Sequence, residues 1–437
     1  MAAIGNFFKT IRNNWKKTVF FTGVGAYGVK FLNNKYEESL IRRAYCLEAQ
    51  KYGNEPLKTG ERARRVTVFL NPAASGGKAK ALFEKNAAPL LHMAGLDVTV
   101  VKTEYEGQAK QYMEVLDDTD AVIVAGGDGT LSEVVTGLLR RFGDEKCRLP
   151  IGIVPVGATN SLAKILFGKG ESDVRWMADA AMSVIKGTTR DVDVLFIKGE
   201  GEGRNVYALS GIEWGAYNDA EQAKKRYWYF GPLKHRLTYV LPSMGQWPPV
   251  INANLAFSPP CQGCSRCYTP PPKVTWKWWH IFLQPHREVP QKDYSKVDNP
   301  ECGKWYSNDV STVQFVAQIN NNLPANEETA GSAVIRTWPS DISKKDFIKD
   351  GWRRMKGEES DLPIETRSVG EFSLQPHIPE GKEAWFTIDN ELYEAMPISV
   401  KLLRDKIRIF SPPRALVTDT NTQQFLQDSQ QNVPIVA

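Results

Sequence analysis

Residues 62–415 predict an α/β unit with a doubly wound parallel sheet, 62–186, followed by a mainly antiparallel, sandwich-like β unit, 187–415. Three observations carry that reading. Short apolar runs rich in β-branched residues alternate with stretches of helical periodicity as far as Gly187, which is the pattern of a sheet buried on both faces. Glycine-bearing turns close three of those runs. Past Gly187 the texture changes to alternating strand-like segments.

Ahead of both units, residues 1–36 carry Lys9, Arg12, Lys16, Lys17, Lys30 and Lys35 and no acid. The chain's net charge is +5, so the rest is close to neutral. A body without a basic stripe excludes a nucleic-acid binder. Thr18–Leu32 is apolar but interrupted by glycines and one lysine, and it is shorter than the ~20 residues of a spanning helix. With Phe7, Phe8, Ile11 and Trp15 among the cations, the segment predicts a membrane-anchoring leader, either a mitochondrial address or an interfacial helix. A solvated terminus is the alternative.

In the first unit, Val66–Leu70, Val98–Val101, Ala121–Ala125 and Ile151–Val154 predict buried parallel strands. Ala79–Ala94, Gly107–Leu116 and Leu131–Arg141 predict the helices between them. Ligands of such a sheet sit at the carboxyl ends of its strands, so the loops after Leu70, Ala125 and Val154 are the places to look for chemistry.

In the second unit, Asp193–Ile197, Asn205–Leu209, Val313–Ile319, Ala384–Ile388, Ile398–Leu403 and Lys406–Phe410 predict strands. Residues 245–310 hold ten of the 26 prolines and predict a long loop or insert. It contains Cys261, Cys264 and Cys267 in CQGCSRC, with Cys302 available as a fourth ligand. Three thiolates at that spacing are a candidate structural zinc site, although the second C-x-x-C pair of a zinc ribbon is missing. Residues 416–437 are polar and rich in Gln and Asn, which predicts a disordered tail.

The most specific motif is Gly126-Gly127-Asp128-Gly129-Thr130, between a buried run and a helix. Its glycines let backbone N–H groups approach an anion. A carboxylate in a phosphate-cradling turn repels phosphate unless a divalent cation lies between, so Asp128 points to magnesium held through water. Ser132 stands where a dinucleotide fingerprint needs its third glycine.

Asn71-Pro72-Ala73-Ala74-Ser75-Gly76-Gly77-Lys78 is no Walker loop, because Pro72 and Ala79 occupy two of its required positions. Ser75, Gly76 and Gly77 leading into a helix still suit a nucleotide phosphate, with Lys78 adding charge. The third loop, Pro155-Val156-Gly157-Ala158-Thr159-Asn160, repeats the arrangement.

Together these motifs resemble the diacylglycerol-kinase catalytic family, which includes the sphingosine and ceramide kinases, over roughly residues 62–415. Ala158 departs from the family's threonine. The resemblance implies a lipid kinase that uses ATP and magnesium and converts monoacylglycerol and diacylglycerol to lysophosphatidic and phosphatidic acid. It assigns the nucleotide to the three loops together with Glu133, Lys234 and Glu391. Asp389-Asn390-Glu391 matches the family's Asp-Gly-Glu, which makes Asp389 the base that takes the alcohol's proton. Asp219, in IEWGAYND, matches a lipid head-group contact, with Asp193 a weaker companion.

Tyr227, Trp228, Tyr229 and Phe230, beside Lys224, Lys225, Arg226 and Lys234, fit either a headgroup layer or core packing. The resemblance also implies the mitochondrial inner membrane, on the intermembrane-space side, and a role beside the inner-membrane carrier translocase. A ceramide or sphingosine kinase, a non-catalytic import component and a soluble NAD kinase are the competing readings.

Overall fold

The computed structural model describes residues 14–412 except 144–146, 148, 169–171, 201–204, 246, 262, 268–293, 320–331 and 382. The expected tail and the first 13 residues of the expected leader lie outside the described residues.

One helix, Trp15–Gly53, is the first element of the described residues and runs unbroken through the expected leader boundary at residue 36. Its first half is bare, with Phe20, Phe21, Phe31 and Leu32 exposed. Its second half is docked: Tyr45 and Ala49 enter the core, and Arg42 Nε donates to Asn86 Oδ1 at 2.8 Å. Among the described residues no helix is long and apolar enough to cross a membrane.

Strands β1 (Arg65–Leu70), β2 (Asp97–Lys102), β3 (Ala121–Gly126) and β4 (Ile151–Pro155) form a parallel sheet in the order β2-β1-β3-β4. Val66, Val68, Leu70 and Ile123 face one apolar layer, while Phe69, Val122 and Val124 face the other. Helices therefore cover both faces, as continuous apolar strands require. β2 is the exception to the expected burial: it is an edge strand, and Val100 lies open to solvent. The predicted helix 79–94 divides into Ala79–Asn86 and Ala88–Met93, the second with Pro89 in its first turn.

The next strands are β5 (Thr189–Gly199), β6 (Val206–Ala208), β7 (Gly211–Gly215), β8 (Ile251–Ser258) and β9 (Tyr306–Thr312). They are followed by β10 (Gln314–Ile319), β11 (Ala333–Thr337), β12 (Glu365–Val369), β13 (Glu371–His377), β14 (Trp385–Ile388), β15 (Glu391–Glu394) and β16 (Ile398–Phe410). An antiparallel sheet runs β12-β11-β10-β7-β14-β15. It packs on the β13, β8 and β16 end of the other sheet through Leu255, Phe315, Phe372, Phe386 and Val400.

The expected insert 245–310 begins and ends in strands, because β8 and β9 pair antiparallel from Ile251↔Thr312 to Phe257↔Tyr306. The prolines misled because Pro248, Pro249, Pro259 and Pro260 flank β8 rather than interrupt it.

β16 joins the two units. Its first half pairs antiparallel with β13, its whole length pairs with β5 across an irregularity between Leu403 and Ile407, and Ile409 pairs in parallel with Ile151 of β4. Ten strands thus form one sheet that crosses the boundary between the units.

Candidate active site

The three glycine-bearing loops leave β1, β3 and β4 at their carboxyl ends and touch one another. The Asn71 side-chain amide donates to Thr130 Oγ1 at 3.1 Å, and the Asp128 backbone N–H donates to the Thr159 carbonyl at 3.2 Å. A Cβ on Gly157 would lie 2.3 Å from the Gly127 Cα, and one on Gly127 would lie 2.9 Å from the Thr159 carbonyl oxygen. The glycines are thus required by the close approach of two backbones. Asn160 closes its own loop, donating to the Gly157 carbonyl at 2.9 Å, while Ala158 and Thr159 face solvent.

In the first loop Ser75, Gly76 and Gly77 are left-handed, with φ of 54°, 66° and 84°, and form the turn that leads into the helix. That helix begins at Ala79, where the sequence predicts it, because three left-handed residues cannot continue a right-handed spiral. Lys78 is exposed at its start, and Pro72 is half-buried.

Asp128 is buried at the first position of the helix Asp128–Phe142. Its Oδ1 accepts from the Ser161 backbone N–H at 2.7 Å, and its Oδ2 accepts from the Ser161 hydroxyl at 3.1 Å. The carboxylate thereby caps the helix Ser161–Phe167, in place of Asn160, which has no capping bond. Its third donor comes from the other unit: Asn390 Nδ2, at 2.8 Å from Oδ2.

Asn390 sits in the two-residue loop between β14 and β15, where Asp389 and Asn390 both have positive φ, 47° and 69°. Such loops match the twist of a hairpin and select Asn, Asp and Gly. Asp389 is 5% exposed. Its Oδ2 accepts from Leu209 N–H at 2.7 Å, and its Oδ1 accepts from Ser210 and Gly211 N–H at 2.7 and 3.2 Å. Burial pushes its carboxyl up to about 6; the three backbone donors oppose that rise and the nearby Asp128 adds to it.

Glu391 reaches Gly129, where an added Cβ would meet its Oε1 at 2.5 Å. Burial raises its pKa, and the carboxylates of Glu106, Glu133 and Asp128 add to the effect. Tyr393 donates its hydroxyl to Glu391 Oε2 at 3.1 Å. Glu133 is half-buried one turn along the helix from Gly129.

Other expected residues lie apart from this cluster. Asp219 stands in the first turn of the helix Ala216–Ala223, with no hydrogen-bond partner among the described residues. Nearby protein atoms push its carboxyl up to about 6 by desolvation, although the residue is exposed to solvent. Asp193 accepts from the Asp405 backbone N–H at 2.8 Å, at the irregularity of β16, and so serves that bend. Lys234 is half-buried at the start of the helix Lys234–Ser243 and forms no ion pair among the described residues. Trp228 and Tyr229 are 75% and 63% exposed, which settles them outside the core.

Sequence reasoning missed Ser161, Glu106 and the backbone of Leu209–Gly211. Ser161 had a weak signal as a helix-opening serine. The others had none, because only the fold brings residues 106, 209–211 and 389–391 together.

Residues 65–197 match the diacylglycerol kinase catalytic domain, and residues 209–427 match the acylglycerol kinase C-terminal family. Residues 8–114 also match the family of the inner membrane protein import complex subunit Tim54. The chain is 40% identical to the mitochondrial acylglycerol kinase of Homo sapiens over 93% of this chain and 97% of that one. It is likewise 40% identical to that of Xenopus laevis, over 98% of each. A solved structure of a protein assigned as a diacylglycerol kinase from Bacillus anthracis str. Sterne shares the fold, with a TM-score of 0.52 at 18% identity, covering 81% of this chain and 99% of that chain. Family motifs on one sheet rim and full-length likeness agree: this chain belongs to the acylglycerol kinase family and is a lipid kinase with ATP as its phosphoryl donor.

Proposed function

We propose that the chain moves the γ-phosphoryl group of ATP onto the free hydroxyl of monoacylglycerol and diacylglycerol at the mitochondrial inner membrane. The observation that carries this reading is the Asp128–Asn390 contact, which sets the nucleotide turns of one unit against the acid-bearing hairpin of the other.

In this reading the loops of Asn71–Lys78, Gly126–Thr130 and Gly157–Asn160 hold the triphosphate, and Asp389 takes the alcohol's proton. A carboxyl near 6 is ionised at neutral pH yet basic enough to accept a proton from an alcohol under attack. Its Oδ1 already accepts two backbone donors, but its Oδ2 accepts only one and keeps a lone pair for the proton.

Magnesium fits the donor set. Asp128, Glu133 and Glu391 are hard oxygen donors whose mutual repulsion favours a cation among them. Asp128 already accepts three hydrogen bonds, so its share is through water. When bound, the ion neutralises charge on the transferring phosphoryl group.

Asp219, exposed and without a hydrogen-bond partner among the described residues, binds the lipid head group. The exposed Trp228 and Tyr229 follow it directly in the 3-10 turn Lys224–Leu233, and they rest in the interfacial layer where such rings partition. The bare half of the Trp15–Gly53 helix anchors the chain to the same membrane, facing the intermembrane space. The Tim54 match over residues 8–114 supports a second role beside an inner-membrane import complex.

The test is ATP-dependent labelling of monoacylglycerol, diacylglycerol, ceramide and sphingosine in vesicles by wild type and by Asp389→Asn. Acylglycerol labelling by wild type and its loss in the variant are expected. Equal labelling by both removes Asp389 from its role, and exclusive labelling of ceramide or sphingosine overturns the substrate.

A further inference from the structure

The sulfur atoms of Cys261, Cys264, Cys267 and Cys302 lie within 4.8 Å of one another, away from the residues of the kinase site. Cys261 and Cys267 are 3.7 Å apart, and Cys264 and Cys267 are 3.6 Å apart. All four are free thiols, since a disulfide brings its sulfurs to about 2.05 Å. A tetrahedral zinc ion with bonds of about 2.3 Å sets its thiolates about 3.8 Å apart, close to the 3.7 and 3.6 Å of those two pairs.

The backbone is organised to present these sulfurs. Cys264–Cys267 forms a turn closed by Cys267 N–H to the Cys264 carbonyl at 3.2 Å, and Cys302 is offered on a second turn closed on the Asn299 carbonyl at 3.2 Å. Ser265 N–H ties the first turn to the Val297 carbonyl at 2.8 Å. Gly263, at φ 134°, brings its backbone against the Tyr294 ring, which lies within 2.6 Å of where a Cβ would stand.

We propose that these four cysteines hold one structural zinc ion at the neck of the segment between β8 and β9. Three ligands follow the end of β8 and the fourth precedes β9, so the ion clamps the open end of the hairpin just past the Phe257↔Tyr306 pair. That hairpin forms the outer margin of the ten-stranded sheet. Four thiolates complete the tetrahedron and leave no position for substrate, so the ion staples the fold and takes no part in catalysis. A polynuclear iron–sulfur cluster is a poorer fit, because several interposed ions push its thiolates further apart.

The experiment is elemental analysis of the full chain purified without chelator, with thiol counting and intact mass. About one zinc per chain is expected. Thiols should be slow to react until a chelator is added, and cobalt reconstitution should give the visible spectrum of tetrahedral tetrathiolate coordination. Cys302→Ser should lower bound zinc at least about tenfold while lipid phosphorylation persists in whatever protein folds. If that variant does not fold, the wild-type metal content and cobalt spectrum decide. A chain that stays metal-free after incubation with zinc overturns the proposal, whether its thiols react freely or its mass is four hydrogens light from two disulfides.

Discussion

Asn390 donates its side-chain amide to Asp128 at 2.8 Å across 262 residues of sequence, and the same amide lies 3.0 Å from the Ser161 hydroxyl. A position that the family pattern fills with glycine here carries a strut between the nucleotide turn and the acidic hairpin. Asn390→Gly keeps the left-handed backbone and removes the strut. Losing a hydrogen bond to a charged group costs about 1.5–3 kcal/mol, so kcat should fall roughly 10- to 100-fold. Unchanged kcat in steady-state assays would show the strut to be idle.

Gly157→Ala should be worse than Gly129→Ala. The first adds a methyl 2.3 Å from the Gly127 Cα, where backbone faces backbone and neither can yield. The second meets only the end of the Glu391 side chain, at 2.5 Å, which can swing aside. Calorimetric titration with Mg-ATP should give at least about tenfold weaker binding for Gly157→Ala and a change of only a few-fold for Gly129→Ala.

Activity should depend on pH through Asp389. Its buried carboxyl titrates near 6, so kcat/KM should rise as pH passes that value and level off above it. For stability the sign is opposite. A carboxyl raised from 3.8 to about 6 by burial favours the folded state fully below 3.8, and that contribution is lost as pH rises through 6. A pH–rate profile without an acidic limb near 6 would assign the base elsewhere.

Asp219→Asn should separate lipid from nucleotide. The carboxylate is exposed and without a partner among the described residues, so the KM for acylglycerol in mixed micelles should rise several-fold while the KM for ATP stays fixed. Equal changes in both constants would place Asp219 in the fold rather than at the head group.

Two truncations divide the opening helix. Among the described residues, removing residues 1–36 takes away a helix half whose large apolar side chains are exposed, so melting should be unchanged while vesicle binding in flotation assays weakens. Removing residues 1–53 also strips Tyr45 and Ala49 from the core and should lower Tm by about 5–10 °C.

The parallel half was legible in the sequence because its signals are local: β-branched runs at β1, β3 and β4, helical periods between them, and glycines at the turns. Asp128, Gly157 and Asp389 were legible through motifs. The Pro-flanked β8 was not, since prolines beside a strand and prolines within a loop look alike in one dimension. Nor was the left-handed run at Ser75–Gly77, because glycine permits both hands of backbone. Contacts such as Asp389 to Leu209–Gly211 join positions some 180 residues apart, and no periodicity reports them.

The thirteen residues of β16 are among the last of the described chain, yet they join β4 through Ile409↔Ile151 while running beside β5 and β13. During synthesis, the amino-terminal half therefore lacks this distant strand until residues 398–410 emerge. Truncation before residue 398 would therefore remove at one stroke a strand that both units share.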